Sequence, residues 1–126
     1  MKVASFNIND VNRRSTNLFK WLGEAEPDIV CLQELKAADA EFPAESVHQT
    51  GYHAVWRGEK RWNGVAILAR WVPVLTRTGL PGDAADRQSR YLEAAVNGVL
   101  VASIYAPNGN PQPGPNSTTS LLGSSA

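Results

Sequence analysis

The stretch DIVCLQELK, residues 28–36, decides the fold class. Its first six residues form a nearly continuous apolar run, which is typical of a β-strand that is covered on both faces. Pro27 precedes this run and disfavours the α conformation at Glu26, so any helix upstream has to end there. The charged residues Glu34 and Lys36 close the stretch. We therefore predict a buried central strand that runs into a polar loop at Glu34.

The residues upstream complete a strand–helix–strand unit. Residues 2–8, KVASFNI, are β-prone and run into an Asn/Asp cluster, which predicts a first strand followed by a loop. Apolar residues then recur at helical spacing within residues 12–25, and Ser15 or Asn12 is available as the helix cap. Such an opening predicts a helix that lies against a sheet.

The downstream part of the chain has a different pattern, with short strands separated by turns. We predict a loop, one short helix around Ala44–Gln49, and then strands at 52–57, 64–69, 72–78, 91–96 and 100–105. Asn97-Gly98 lies between two alternating apolar runs and is the strongest hairpin signal in the chain. The later strands should therefore be hairpin-linked and antiparallel, and the fold class is α/β.

Composition changes abruptly after Asn110. Residues 111–126, PQPGPNSTTSLLGSSA, carry no charge and consist almost entirely of Pro, Gly, Ser, Thr and Asn. Such a segment cannot bury enough apolar surface to offset its chain entropy, so we expect it to be disordered. The predicted domain therefore covers residues 1–110.

Overall composition fits an ordinary globular domain, with 43% hydrophobic and 19% charged residues in 126. No apolar run reaches the roughly 18 residues that a membrane span requires, and the N-terminus turns polar too early for a signal peptide. The single cysteine, Cys31, lies in an apolar run, which indicates a packing role and fits a reducing cytoplasm. A net charge of zero does not exclude nucleic acid, because binding requires only a local basic surface.

Three polar residues stand at the ends of predicted strands, namely Asn7, Glu34 and Tyr105. Loops at strand ends are where sites assemble in α/β sheets, and carboxylate and amide oxygens are the ligands that Mg²⁺ prefers. Taken alone, however, a Glu in this position is more often a solvated loop residue, and such a Tyr is more often a half-buried anchor. These positions by themselves leave both interpretations open.

Five short motifs help to decide between a metal site and ordinary loop residues, because the five follow one another along the chain in a recognisable order. They are FNIN at 6–9, DIVCLQELK at 28–36, RWNGVAILAR at 61–70, GLPGD at 79–83 and IYAPNGNP at 104–111. The series resembles the exonuclease III family of the endonuclease/exonuclease/phosphatase superfamily over about residues 1–115. The resemblance implies a two-layer β-sandwich flanked by helices, of which only the first half is present.

The resemblance also implies roles for individual residues. Asn7 matches the Asn of the family's W-N-x-N element, and Glu34 matches the metal-binding Glu of its L-Q-E-x-K element. Tyr105 matches the active-site Tyr of the Y-x-P-N-G element. Arg90 and Asn108 fall at positions that lie near the DNA in the family. The implied cofactor is Mg²⁺, with Mn²⁺ as a substitute, held by Glu34 and Asn7.

Some family features differ or are missing. Phe6 replaces the usual Trp, Leu35 replaces a common Thr, and Trp62 also departs from the pattern, but none of these changes removes a ligand. The family takes its general base from a D-x-N element and a phosphate-contacting His from a Ser-Asp-His element. No D-x-N follows Tyr105, there is no Ser-Asp-His, and the only histidines, His48 and His53, lie elsewhere.

A basic and aromatic stretch, residues 56–63, interleaves three basic residues with two Trp. Lys60 and Arg61 in this stretch could bind the DNA backbone, as basic aromatic loops do. The alternative is a solvated hairpin whose Trp side chains cover the core. The stretch taken alone favours this alternative, whereas beside the family resemblance the two interpretations are equally favoured.

Together these observations predict a truncated DNA-repair nuclease of the exodeoxyribonuclease III type. Its full-length form would be a cytoplasmic monomer that cleaves double-stranded DNA as a 3′–5′ exonuclease and an abasic-site endonuclease, whereas this chain would be inactive. The alternatives are a non-catalytic DNA-binding fragment, a phosphatase within the superfamily, or a product that does not fold stably. A lone first half is expected to leave the inner face of one sheet uncovered.

The tail further suggests a frameshift, because the pattern is lost after Pro115, where the family continues into a helix. Residues 116–126 can be encoded by codons whose shifted frame reads Phe-Asp-Tyr-Lys-Leu-Ala-Trp-Leu-Val-Arg, a sequence that resembles that helix. We expect the restored frame to encode the missing D-x-N and Ser-Asp-His elements.

Overall fold

A computed structural model of the chain describes residues 1–59, 63–78 and 90–105, together with the backbone of residues 117–122. The elements are β1 (Val3–Asn7), α1 (Ser15–Ala25), β2 (Ile29–Gln33), a 3₁₀ turn (Asp39–Glu41), α2 (Ala44–Gln49), β3 (His53–Arg57), β4 (Val65–Ala69), β5 (Val74–Arg77), β6 (Tyr91–Val96), β7 (Val99–Tyr105) and β8 (Ser117–Leu122).

The strands form two four-stranded sheets, with the orders β1-β2-β4-β3 and β5-β6-β7-β8. β1 and β2 are parallel and are joined through α1, which confirms the predicted strand–helix–strand opening. All other pairings are antiparallel, which confirms the prediction for the later strands. None of the helices in the described ranges is long and apolar enough to cross a membrane.

Helix α1 ends where Pro27 predicts it to end. Glu26 adopts a left-handed conformation with φ 49°, and its N–H donates to the carbonyl of Leu22. The predicted N-terminal cap is wrong, however, because Arg14 occupies the cap position and no side chain caps the helix. The Ser15 hydroxyl instead donates to the Asn12 carbonyl at 3.1 Å, which leaves it turned away from the first helical N–H groups.

Strand β2 lies at the centre of the molecule and is buried along its whole length, as predicted. Its alternate residues face two different apolar clusters. Val30 and Leu32 pack in a cluster with residues of α1 and α2, whereas Ile29 and Cys31 pack in a cluster that includes residues of the second sheet. The fold is thus a sandwich of two sheets with helices on one side.

The expectation that one sheet would have an uncovered inner face is wrong for this structure. Leu92 and Val96 of β6 and Val101 of β7 pack with Ile29 and Ile67 in the cluster between the sheets, and all five are fully buried. The hairpin that joins β6 to β7 makes this possible. Its turn residues, Asn97 and Gly98, have φ values of 48° and 81°, as the predicted Asn-Gly turn requires.

The structure also differs from the predicted disorder within residues 111–126. The backbone of β8 pairs antiparallel with β7, from Tyr105 opposite Ser117 to Leu100 opposite Leu122. Apolar burial is not the only source of order for such a segment, because the edge of β7 offers backbone hydrogen bonds that a polar segment can satisfy. Residues 106–116 and 123–126 lie outside the described residues, and the frameshift stays a prediction.

Candidate active site

Glu34 is presented by a tight turn directly after β2. Glu34 and Lys36 have left-handed φ values of 59° and 53°, a conformation that non-glycine residues rarely adopt. The turn is held by the segment before β4, since the Leu35 and Lys36 N–H groups donate to the carbonyls of Gly64 and Asn63, each at 3.1 Å. Asn63 and Gly64 therefore have a structural function, which is to support the loop that carries Glu34.

Gly64 allows the close approach on which this support depends. Its φ is 92°, and a Cβ atom placed on it would lie 2.8 Å from the Cβ of Leu35, which is fully buried. Any side chain at position 64 would therefore displace the turn or the core residue beneath it.

Asn7 reaches Glu34 because β1 and β2 are parallel. The two strands are in register with Asn7 opposite Gln33, so both strands end at the same edge of the sheet. The Asn7 side chain donates from Nδ2 to Glu34 Oε2 at 2.6 Å. This arrangement directs the amide nitrogen towards the carboxylate and leaves the amide oxygen, Oδ1, as the group available to a cation.

Tyr105 reaches the same carboxylate from the other sheet. Its hydroxyl donates to Glu34 Oε2 across a long hydrogen bond of 3.4 Å. Burial raises the pKa of the Tyr105 hydroxyl, and the negative charge of Glu34 and the hydrogen bond to it raise that pKa further. The predicted juxtaposition of Asn7, Glu34 and Tyr105 is therefore present, while their roles stay predictions.

Lys36 and Asn9 complete the surroundings of Glu34, and neither was singled out from the sequence. Lys36 Nζ lies 3.3 Å from Glu34 Oε1 and donates to Asn9 Oδ1 at 2.6 Å. Asn9 is part of the motif FNIN, and Lys36 is part of LQELK. Their membership of these motifs was the signal that could have identified them. The two oxygens of Glu34 thus have different neighbours, an ammonium at Oε1 and two neutral donors at Oε2.

The donor set at this edge suits a magnesium ion in one of its usual coordination modes. Within the described ranges, no group of three or more His, Cys, Asp or Glu side chains could hold a metal. Mg²⁺ commonly binds through one or two carboxylates, retains several waters and takes further oxygens from substrate phosphates. Glu34 with the Asn7 amide oxygen fits this mode.

Arg90 is the one predicted DNA-contacting residue that the structure describes. It directly precedes β6, and its carbonyl accepts a hydrogen bond from the Tyr105 N–H at 2.9 Å, so it lies at the Tyr105 end of the second sheet. Its Nε atom is buried and has no hydrogen-bond partner in the described part of the chain. Lys60, Arg61 and Asn108 lie outside the described residues.

Within residues 56–63, Trp56 is the described residue that bears most directly on the two alternatives. Its ring stacks on Phe42 with centroids 4.5 Å apart, its Nε1 donates to the Asp39 carbonyl at 3.1 Å, and it packs against the core cluster beside the helices. Trp56 therefore covers the core. Lys60, Arg61 and Trp62 lie outside the described residues.

The histidines lie away from this edge, as the sequence suggested. The sheet register places His53 level with Ile29, at the opposite end of the strands from Gln33 and Glu34. His48 and His53 contact each other, with ring centroids 5.5 Å apart. Neither can act on a group bound at Glu34.

A cavity of about 620 Å³ adjoins the other side of Asn7. Its walls combine aromatic and polar side chains, and Phe6 packs edge-to-face on Trp21 with centroids 5.3 Å apart. The lining residues are Phe6, Asn7, Ile8, Asn9, Arg14, Asn17, Leu18 and Trp21. Phe6, which replaces the Trp usual in the resembling family, thus keeps an aromatic contact here.

Comparison with known sequences agrees with this geometry, since residues 4–122 match the profile of the Endonuclease/Exonuclease/phosphatase family. The chain belongs to this family. It is 39% identical over 113 residues to exodeoxyribonuclease III of Haemophilus influenzae, an alignment that covers 86% of this chain and 42% of that relative. The resemblance inferred from the five motifs is therefore confirmed.

Solved structures of family members share the fold. A Neisseria protein described as a 3′ phosphatase bound to product DNA hairpin is 40% identical, with a TM-score of 0.82 over 90% of this chain and 45% of that one. An AP endonuclease from Archaeoglobus fulgidus is 36% identical, with a TM-score of 0.80 over 85% of this chain and 41% of that one. The chain thus spans less than half the length of these relatives, and the sandwich fold is confirmed over that part.

Proposed function

We propose that this chain carries part of a magnesium-dependent site that hydrolyses phosphodiester bonds of double-stranded DNA. The proposed activities of the longer protein are those of a 3′–5′ exonuclease and an abasic-site endonuclease, with Mn²⁺ able to replace Mg²⁺. The observation that carries the proposal is the convergence of Asn7 and Tyr105, from strands of two different sheets, on one carboxylate oxygen of Glu34. The names of the relatives, an exodeoxyribonuclease III and an AP endonuclease, support it.

Glu34 and the Asn7 amide oxygen are the groups proposed to hold the cation. When bound, Mg²⁺ supplies Lewis acidity to a phosphoryl oxygen and charge compensation to the leaving oxygen. The Asn7 amide also orients Glu34, since its Nδ2 donates to Oε2. Lys36, at 3.3 Å from Oε1, balances the charge of the carboxylate and is the group that a cation approaching Oε1 would have to displace.

Tyr105 is proposed to act as a hydrogen-bond donor to the phosphate. A tyrosine hydroxyl is protonated at neutral pH, and burial together with the nearby Glu34 charge raises the pKa of Tyr105 further, so the proton is available for donation. A donor fixed in place before reaction typically contributes about 10²–10³ in rate when it stabilises charge that develops in the transition state. Tyr105 sits at the end of a strand in a packed sheet, which supplies that fixed position.

The remaining groups of the reaction are not found in residues 1–126. The attacking water requires a general base, and no D-x-N follows Tyr105 to provide the Asp that the resembling family uses. A phosphate-contacting His is likewise missing, because His48 and His53 lie at the far end of the sheet. We propose that the chain by itself does not catalyse the reaction.

DNA is the proposed partner, contacted by Arg90, Asn108, Lys60 and Arg61. For Arg90, the placement beside Tyr105 supports this role. We also propose that the longer protein is a cytoplasmic monomer. The buried thiol of Cys31, which forms no disulfide, is compatible with the reducing environment of a cytoplasm.

A 3′ phosphatase is the second candidate function. It is favoured by the Neisseria relative, which is described as a 3′ phosphatase and was solved with a DNA hairpin product. Both activities hydrolyse a phosphoester of DNA, so the same carboxylate, amide and hydroxyl would serve either. A fragment that binds DNA without cleaving it is the remaining alternative.

Metal binding to the purified chain tests the proposal directly. Mn²⁺ added to isotope-labelled protein should broaden the NMR signals of the Asn7 side-chain amide and the Tyr105 ring. Glu34→Ala should abolish this selective broadening, whereas Glu26→Ala, which removes an exposed carboxylate at the opposite end of the sheet, should not. Broadening that is absent, or that survives in Glu34→Ala, contradicts the proposed metal site.

Substrate assays would then separate the two candidates. The longer protein should cleave an abasic duplex and remove nucleotides from a 3′ end if it is a nuclease. Release of phosphate from a 3′-phosphorylated hairpin, without cleavage of either duplex, would instead assign the phosphatase activity.

A further inference from the structure

A small network of polar side chains lies directly behind the candidate site. Gln33 is fully buried, and its Nε2 donates to Ser103 Oγ at 2.9 Å and to Ser5 Oγ at 3.2 Å. Ser103 is also fully buried, and its hydroxyl donates to the Leu32 carbonyl at 3.1 Å. The network therefore connects β1, β2 and β7, which belong to two different sheets.

Each member of the network precedes a site residue along the chain. Ser5 comes two residues before Asn7, Gln33 comes directly before Glu34, and Ser103 comes two residues before Tyr105. Side chains two apart on a strand point to the same face. The network therefore joins the three strands close to the site, because each of its members lies only one or two residues before Asn7, Glu34 or Tyr105.

The orientation of the Gln33 amide is fixed by its partners. Because the Ser103 hydroxyl donates its proton to Leu32, its oxygen can only accept from Gln33, so Nε2 must face Ser103. The other amide atom, Oε1, is buried and has no hydrogen-bond partner in the described part of the chain. A buried acceptor without a partner lowers stability.

Stability alone therefore does not account for a glutamine at this position. The other residues of β2 that face the second sheet, Ile29 and Cys31, are apolar and fully buried, as are Val65 and Ile67 on β4. An apolar side chain of similar volume at position 33 would fill the same space without burying an unpaired acceptor. The network has a directional property that apolar packing lacks, because hydrogen bonds constrain the distance and orientation of the strands they join.

We propose that Gln33 is a positioning residue that acts through Ser5 and Ser103. It sets the spacing of β1, β2 and β7 at their ends so that Asn7 and Tyr105 both reach Oε2 of Glu34. The inference rests on the proposed function in one respect only, because this alignment is useful to the protein only if Glu34 binds a cation. The alignment itself is a property of the metal-free chain.

Two variants and one matched control test the proposal. Gln33→Met removes the amide while keeping an unbranched side chain of similar length, and Ser103→Ala removes the link to the second sheet. Tyr52→Phe is the control, because it deletes a buried hydrogen bond to the Pro27 carbonyl at the opposite end of the sheet. For each protein, the measurements are the thermal midpoint, the Mn²⁺ dissociation constant and the hydrogen-exchange protection of the Asn7 side-chain amide.

The expected result is a separation of site geometry from stability. Gln33→Met and Ser103→Ala should weaken Mn²⁺ binding about tenfold, as removal of residues that orient metal ligands typically does, and should reduce protection of the Asn7 amide. Tyr52→Phe should lower the thermal midpoint while leaving both site measurements unchanged.

The possible failures are distinguishable. Parental Mn²⁺ affinity together with parental Asn7 protection in both variants would overturn the positioning role. If the parent chain itself binds no Mn²⁺, the proposed metal site fails, and the Asn7 protection in the metal-free variants still decides the positioning role. If Gln33→Met does not fold, Ser103→Ala decides alone.

Discussion

The Tyr105 hydroxyl and the Glu34 carboxylate come from different sheets of the sandwich and meet at 3.4 Å. The two residues are 71 positions apart in the chain. The contact therefore depends on how the sheets are stacked, and not on any local segment. A site built across two sheets is sensitive to changes that shift one sheet against the other, even when neither sheet unfolds.

The purified chain should show no appreciable magnesium-dependent cleavage of an abasic duplex. It lacks the general base and the phosphate-contacting His of the resembling family, and loss of a general base alone typically costs about 10²–10⁴ in rate. A fluorescently labelled duplex, with exodeoxyribonuclease III as the positive control, provides the measurement. Cleavage that Glu34→Ala abolishes would mean that another residue of this chain serves as the base.

Substitution of Gly64 should damage the Glu34 turn. Gly64→Ala places a methyl group 2.8 Å from the Leu35 side chain at a φ of 92°, and a residue in such a conformation costs about 1–3 kcal/mol. Gly98→Ala is the matched control, since Gly98 has a φ of 81° but an added methyl group there would meet nothing within 4 Å. Urea denaturation should show the larger loss for Gly64→Ala, and equal losses would contradict the importance of the contact with Leu35.

Tyr91 should make the stability of the second sheet sensitive to high pH. Burial, followed by the hydrogen bond to Glu93 at 2.7 Å, raises the pKa of Tyr91 from 10.0 to about 12. Because the folded pKa exceeds the unfolded one, this stabilisation is complete below pH 10 and is lost as the pH rises towards 12. The free energy of unfolding of the parent should therefore fall across this range more steeply than that of Tyr91→Phe. Parallel pH profiles would contradict the shift.

Cys31 should be unreactive in the folded chain. Its thiol is fully buried between the sheets, so a thiol reagent such as Ellman's reagent can reach it only when the sandwich opens. We expect little modification in buffer and complete modification in denaturant, measured by absorbance. Rapid modification in buffer would favour the alternative in which the chain does not fold stably.

The features that were correctly predicted have local signals. The apolar run of β2, the stop at Pro27 and the Asn97-Gly98 turn each depend on a few adjacent residues, and the structure places all three as predicted. Asn7 and Glu34 could also be placed together, because two parallel strands joined by one helix end at the same sheet edge.

The features that were missed depend on pairings between distant segments. The insertion of β4 between β2 and β3, the covering of the inner face by Leu92 and Val101, and the pairing of β8 with β7 are long-range arrangements without a local pattern. The Gln33 network was missed for the same reason, since its link to Ser103 joins residues 70 positions apart. Hydrophobic periodicity predicts which face is buried, but not which strand covers it.

The strand order of the first sheet has a consequence for synthesis on the ribosome. β4 is the partner of both β2 and β3, so β3 has no place in this sheet until residues 65–69 have been made. Protein chains emerge at roughly 5–20 residues per second, and until β4 appears one backbone edge of β2 has no partner strand. The nascent chain therefore passes through an interval in which β1 and β2 are available but the sheet cannot close. Ribosome pausing within β3 or shortly after it would prolong that interval and increase the exposure of this segment to chaperones.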